Sequence, residues 1–331
     1  GIQARAPGEG TRAYAIGTPV VPVADQSWEC PASAPLTLSG PLNQEMGGAP
    51  YTICKQGTGT LTLSGGGSFA GDVVSSNGTI RLSGTHSGSG QISLMSNSAV
   101  VVLDNADVAK SVSARCNGSF PSTIQTVTNS TNWIRGGLAT VQDGATPQPN
   151  IVLGAKSSLT VEGDFLKEGT YWTVKGSGEL CVTNCETVKM GCLTLADSVT
   201  VRLQQTCFTT KAANYITVNS GTTLRTEVEN ALTQSPVQLS GLWDLCGKDQ
   251  TMGRLSWSGN TNRAVTTSME IRSTQPAKLT IIHNDKSGSG SNRGWSIYAG
   301  KVTGQVSLLK RGDQTLYLGS ALAATGTLEV A

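Results

Sequence analysis

Two segments far apart in the chain share one pattern: KQGTGTLTLSGGGSFAGDVVSSNGTIRLSG from Lys55 to Gly84, and LKRGDQTLYLGSALAATGTLEV from Leu309 to Val330. Each passes from a basic residue through a Gly turn to Thr-Leu-x-Leu, then through small residues to Gly-Thr and a second apolar-x-apolar step. Strands this short cannot bury an apolar face alone, so a chain that reuses the unit must stack copies of it. The three-residue step recurs widely, at Leu36-Thr37-Leu38, Ile80-Arg81-Leu82, Val101-Val102-Leu103, Ile151-Val152-Leu153, Leu193-Thr194-Leu195, Ile216-Thr217-Val218 and Leu279-Thr280-Ile281 among others. Its outer side chains share one face and the middle one points away, as in a strand buried on one side. Sandwich strands usually run longer, so an all-β parallel β-helix is the expected fold. At about 20–25 residues per coil the chain would make roughly 13–16 coils.

Composition removes several alternatives. The chain has 331 residues with 40 Gly, 14% charged and 5% aromatic residues, a supply of turn formers rather than of helix formers. Solenoids grow by adding coils, so one continuous domain is expected over 30–331. The preceding segment, 1–29, carries Pro7, Pro19 and Pro22 and reads as an extended N-terminal arm, either flexible or docked as a strand, with the apolar Ala13 to Ile16 and Val20 to Val23 favouring docking. A stretch from 115 to 150, with Pro147 and Pro149, reads as a loop excursion. A formal net charge of +2 with no basic run gives no pull on nucleic acid, and no long apolar segment offers a membrane span.

Eight cysteines, and a first residue that is Gly1 rather than Met, fit a secreted chain whose leader has been removed, in an oxidising compartment. Cys30 and Cys54 are 24 residues apart and Cys185 and Cys207 are 22 apart, each near one coil. Stacked coils about 4.8 Å apart would let both pairs form disulfides. A zinc site is the weaker reading, since Cys181, Cys185 and Cys192 have neither a second tight Cys pair nor a nearby His.

The Lys55 start, the stretch Ala277 to Val330 and the upstream LWDLCGKDQTMGRLSWSGN from Leu242 to Asn260 resemble the autotransporter-associated β-strand repeat. In that pattern an Asn commonly stands where Cys246 stands here. The resemblance implies a right-handed parallel β-helix at the bacterial surface and carries no catalytic residues. It departs from an autotransporter in that no strands of a membrane barrel follow Val330.

Parallel β-helices can carry polysaccharide lyase or hydrolase sites, which need paired carboxylates or an acidic cluster with a base. The densest candidates are Asp104-Asn105-Ala106-Asp107 and His283-Asn284-Asp285-Lys286, both of which also read as turns between coils. His86 and His283 are the two histidines available for a triad. Arg311-Gly312-Asp313 occupies the turn position of the repeat, and Asn77, Asn117 and Asn129 head glycosylation-type tripeptides. Trp243, Trp257, Trp295, Tyr298 and Tyr317 either fill coil corners or stack on sugars.

The resulting expectation is a non-enzymatic, extracellular or cell-surface structural or adhesive β-solenoid with no cofactor and no metal. A polysaccharide-binding or polysaccharide-degrading protein is the alternative, with a surface glycan as partner. Thr327 to Ala331 stop inside a repeat without a polar cap, so either a longer protein was cut there or another subunit covers the open end, and of the two head-to-tail self-association is the expectation. The candidate assembly residues are Tyr14, Ile16, Val20, Val21 and Val23 at one end, and Leu328 and Val330 at the other.

Overall fold

The computed structural model describes residues 2–4, 10–96, 98–116, 121–142, 148–163, 171–184, 188–190, 192–209, 215–232, 235–256, 269–283, 295–313, 315–319 and 322–331. The chain divides into two compact units, Gly1–Leu166 and Lys167–Ala331, where the sequence led us to expect one continuous domain. Both are built of parallel strands stacked as a β-solenoid, with no helix among the described residues. They hold about 11 turns, fewer than the coil length read from the repeats would give. The reason is that many coils are longer than the repeats. Ile124 pairs with Ile151 27 residues on, Trp243 with Ile271 28 on, and Ile271 with Val302 31 on.

In the first unit one sheet stacks seven strands in parallel, from Ile2–Gln3 through Gln26–Glu29, Ile53–Gln56, Val73–Ser75, Gln91–Leu94 and Ser111–Cys116 to Leu138–Gln142. A second stack runs from Tyr14–Ile16 through Leu36–Leu38 and Thr60–Leu63 into the longer strands Thr79–Ser87 and Val100–Val108, then to Thr123–Thr126 and Asn150–Leu153. Register turns the sequence step into a core column: Leu36, Leu61, Ile80, Val101, Ile124 and Ile151 lie one above another and are all buried. Beside them Leu38, Leu63, Leu82 and Leu103 form a second buried column. Each buried Leu or Ile stabilises the stack by about 1.5–3 kcal/mol, and the polar middle residue faces out without cost.

The second unit repeats the scheme. Trp172, Leu193, Ile216, Val237 and Leu255 form one buried column, and Leu180, Val201, Leu224, Trp243 and Ile271 another. Gln250–Met252, the end of Glu270–Ile282, the end of Lys301–Arg311 and Leu328–Val330 stack along a further face.

Three expectations need correction. The segment 1–29 is not an arm set apart from the coils: Tyr14–Ile16 docks as a strand, as its apolar residues led us to expect, but Ile2–Gln3 and Gln26–Glu29 are strands of the stack as well, and Trp28 is a core residue. The stretch 115–150 is no excursion in its described part, because Thr123–Thr126, Thr131–Ile134 and Leu138–Gln142 each pair with strands of neighbouring coils. Its coils escaped the apolar-x-apolar pattern because inward positions are polar there. Asn132 and Thr126 are buried, and each is hydrogen-bonded: Asn132 Oδ1 accepts Ala106 N, its Nδ2 donates to Ser130 Oγ and Ser158 O, and Thr126 Oγ1 meets Ser157 Oγ at 2.6 Å.

The third correction concerns the repeat. Lys55 pairs with Ser75 and Lys310 with Val330, both 20 residues on. The counterpart of Gly326-Thr327-Leu328 is therefore Gly71-Asp72-Val73, not Gly78-Thr79-Ile80, which pairs with the stack of Thr60–Leu63. A Cβ on Gly71 would run into Tyr51 O, and one on Gly326 into Val306 O. Both glycines are thus required where a coil crosses close to the backbone of the coil before it.

Candidate functional site

Outward-facing charges are organised by register into ladders. In the second unit Cys181, Arg202, Arg225, Asp244 and Arg272 occupy one outer column on successive coils. Arg202 grips the coils on both sides: Nε and Nη2 donate to the two Glu227 oxygens at 2.8 and 2.9 Å, and Nη1 donates to Glu179 Oε1 at 3.0 Å. Gln204 Nε2 adds a bond of 2.8 Å to Glu227 Oε2. These bonds, chiefly from Arg202, hold the Glu227 carboxyl below its ordinary range and the Arg202 guanidinium above its own. The first unit repeats the device: Arg135 chelates Asp107 at 2.6 and 3.0 Å and reaches Glu162 at 2.9 Å, while Arg81 meets Asp104 at 2.6 Å.

Polar groups inside the stack are used the same way. Lys55 is buried, and its Nζ donates to Gly57 O at 2.6 Å and to Asn77 O, on the next coil, at 2.5 Å. Lys310 repeats the turn clamp, with Arg311 O at 2.5 Å and Gly312 O at 2.8 Å. Burial pushes both ammonium groups below their ordinary range. Lys110 is buried as well, donates to Gly71 O at 2.8 Å and lies over the Phe69 ring at 5.4 Å. Its pKa falls to about 8, mainly through desolvation, which the nearby Asp72 charge opposes. Buried His86 shares the same small cavity, its Nε2 3.0 Å from Ser83 O, and burial lowers its pKa too.

The residues singled out from the sequence fall into place unevenly. Cys30 and Cys54 do not form the expected bridge: both are free thiols. Cys54 stands opposite Ser27 in register, with Sγ 3.2 Å from Ser76 Oγ, while Cys30 is buried three residues further along that strand pair. Burial raises the Cys30 pKa. Cys185, with the side chain of its partner Cys207, lies outside the described residues. Cys246 adopts φ of +52°, a left-handed conformation that suits Asn, and its backbone N–H donates to Asp244 Oδ1 at 3.1 Å. Tyr14 and Ile16 are half-buried in a strand paired with Leu36–Leu38, Val20 bridges to Leu42, and Val21 and Val23 are exposed. Leu328 and Val330 are 52% and 77% exposed.

Asp104 and Asp107 serve the ladders described above, with Asn105 between them at φ of +52°. His283 is buried, whereas Asn284, Asp285 and Lys286 lie outside the described residues. Trp243 is core, donating Nε1 to Thr226 Oγ1 at 3.2 Å, and Tyr298 is core, donating its hydroxyl to Lys301 O at 2.9 Å. Tyr317 is exposed; Trp257 and the side chain of Trp295 lie outside the described residues. Gly312 turns with φ of +85°, as the turn reading of Arg311 to Asp313 requires. Asn77 accepts from Gly78 N within a turn, Asn129 sits exposed in another, and Asn117 lies outside the described residues. Among the described residues no group of three or more His, Cys, Asp or Glu is placed to hold a metal, and no helix is long and apolar enough to cross a membrane.

One outer face of the second unit carries a feature that the linear sequence did not mark. Two adjoining concavities of about 400 and 270 Å³ share Asp249 and Lys278. Hydroxyls of Thr251, Thr280 and Ser307 line them, with Arg311 at one end. Only register assembles this set, since Thr251 stands opposite Thr280 and Lys278 opposite Ser307. No protein-family model matches the chain, and no match to it was found among curated proteins or solved structures.

Proposed function

We propose that the protein is a non-enzymatic structural or adhesive β-solenoid of the extracellular space or cell surface, and that copies associate end to end. The observation that carries this reading is where the charge goes. Arg81, Arg135, Arg202 and Arg272 each bind a carboxylate on an adjacent coil. A carboxylate held in this way, like Glu227 with its lowered pKa, is poorly suited to donate a proton near neutral pH. Its work is to join coils. The outer strands support association: among the described residues Leu322–Ala324 and Leu328–Val330 pair on one side only and expose Leu322, Leu328 and Val330, and Tyr14–Ile16 of the first unit likewise pairs on one side only, with Tyr14 and Ile16 half-buried. Such edges accept further strands.

The test is negative-stain electron microscopy of non-reduced protein over a range of concentrations, beside a Leu328→Lys/Val330→Lys variant. Filaments that lengthen with concentration, and are lost in the variant, are expected. Single particles at every concentration, or filaments indifferent to two edge charges, would remove end-to-end association. Release of new chain ends from a polysaccharide by the purified protein would overturn the non-enzymatic reading.

A further inference from the structure

We propose that the double groove around Asp249 and Lys278 binds an acidic glycan. The inference deepens the adhesive reading above by naming what the surface adheres to. It starts from a contrast in charge pairing. Arg81, Arg135, Arg202 and Arg272 are all satisfied by carboxylates of neighbouring coils. The charged ends of Lys278 and Arg311 have no partner among the described residues, and both line the same concavity. Two unpaired cations converging in a concave site favour an anion there.

The rest of the lining selects the kind of anion. Thr251, Thr280 and Ser307 offer hydroxyls on three successive coils, about 4.8 Å apart along the stack. Asp249 occupies the shared wall; its Oδ1 accepts the Lys278 backbone N–H at 2.7 Å, which fixes the carboxylate and leaves Oδ2 open as an acceptor. A hydroxyl-rich polymer can donate to Oδ2, accept from the threonines and present a carboxylate to Lys278 and Arg311. A nucleic acid backbone would instead place phosphate against Asp249 and finds no base-stacking ring in the lining. A uronic-acid oligosaccharide therefore fits the groove better.

Calorimetric titration of the full chain with a hexagalacturonate, its fully methyl-esterified form and a hyaluronan hexasaccharide tests the inference. At least one acid glycan is expected to bind, weakening as salt rises, with the ester at least about ten-fold weaker. Lys278→Ala and Arg311→Ala should each weaken binding about ten-fold, while Lys156→Asn, an exposed turn position in the first unit, should not. Far-ultraviolet circular dichroism checks that each variant stays folded. The inference fails if neither acid glycan binds at about 1 mM, if ester and acid bind alike, or if the two substitutions change nothing. It fails as well if a single-stranded oligonucleotide binds more tightly through the same residues. Filaments without glycan binding would remove this inference alone; glycan binding without filaments would remove only the end-to-end association.

Discussion

Lys55 and Lys310 fold the same turn, yet they stand in different surroundings. Each Nζ donates to carbonyls of the two residues that follow it. The coil closed by Lys55 continues into Val73–Ser75, which is held on one side by Ile53–Gln56 and on the other by Gln91–Leu94. The coil closed by Lys310 continues into Leu328–Val330, held by Lys301–Arg311 and exposed along its length. Identical local chemistry thus meets two levels of support, and support rather than motif should decide how much each copy contributes to stability.

The largest expected effect separates the two copies cleanly. Gly71 and Gly326 are equivalent, and a Cβ at either meets backbone oxygen of the preceding coil. For Gly71→Ala the clash cannot be relieved without moving a strand that is paired on both sides, so a loss of more than about 4 kcal/mol is expected. For Gly326→Ala the Leu328–Val330 strand can lift away, at a global cost below about 1 kcal/mol. Urea unfolding and peptide-resolved hydrogen exchange distinguish the two. Equal losses would mean that the outer strand is held as firmly as an inner one.

The sequence exposed the columns but not their interruptions. Every apolar-x-apolar step named above lies in a strand, because burial on one face imposes a period of two. Coils whose inward positions hold Asn132, Thr126 or Ser75 broke that pattern and were read as loop or passed over. Asn132 and Thr126 are tolerated because each finds a hydrogen bond that only the folded stack supplies, and Ser75 because its hydroxyl donates to Asn77 O in the turn that follows. The groove was invisible for a related reason: Asp249, Lys278 and Ser307 meet only through register, and no local motif carries a register.

A second, smaller effect sharpens the contrast through pH. Lys110, deep in the first unit with His86 and Phe69, has a folded pKa of about 8 against an unfolded value near 10.5. A depressed pKa means that the unfolded chain binds the extra proton between those values. Stability of the first unit should therefore rise from about pH 8 to pH 10.5, by up to about 3 kcal/mol, and be independent of this group below about pH 8, where both states carry the proton. Lys110→Met should flatten that rise. A rise that persists in the variant would assign it to another group.

Replacing the paired lysines returns to the two copies directly. Lys55→Met removes donors from Gly57 O and from Asn77 O on the next coil, so about 2 kcal/mol should be lost. Lys310→Met removes donors only from carbonyls of its own turn and should cost about 1 kcal/mol or less, seen as faster exchange of 315–330 rather than a shifted global midpoint. A larger loss for Lys310 than for Lys55 would reverse the argument from support.

The smallest expected effect asks whether the ladders matter beyond their own coils. Arg202 joins three coils through Glu179 and Glu227, with its side chain 29% exposed and that of Glu227 16% exposed. Exposed pairs contribute little, but a bidentate link in a network reaches the upper part of the range, about 1 kcal/mol. The Glu227 pKa is depressed, so this contribution is present above its unfolded value near 4.5 and is lost as pH falls through the lower folded one. Glu227→Gln should reproduce the acid loss at neutral pH and leave little further loss on acidification. Because the link spans both neighbouring coils, exchange should speed up in Glu179–Val182 and Thr200–Leu203 together. Acceleration confined to the Glu227 turn would show instead that the ladder orders side chains on a stack already held by its backbone and core columns.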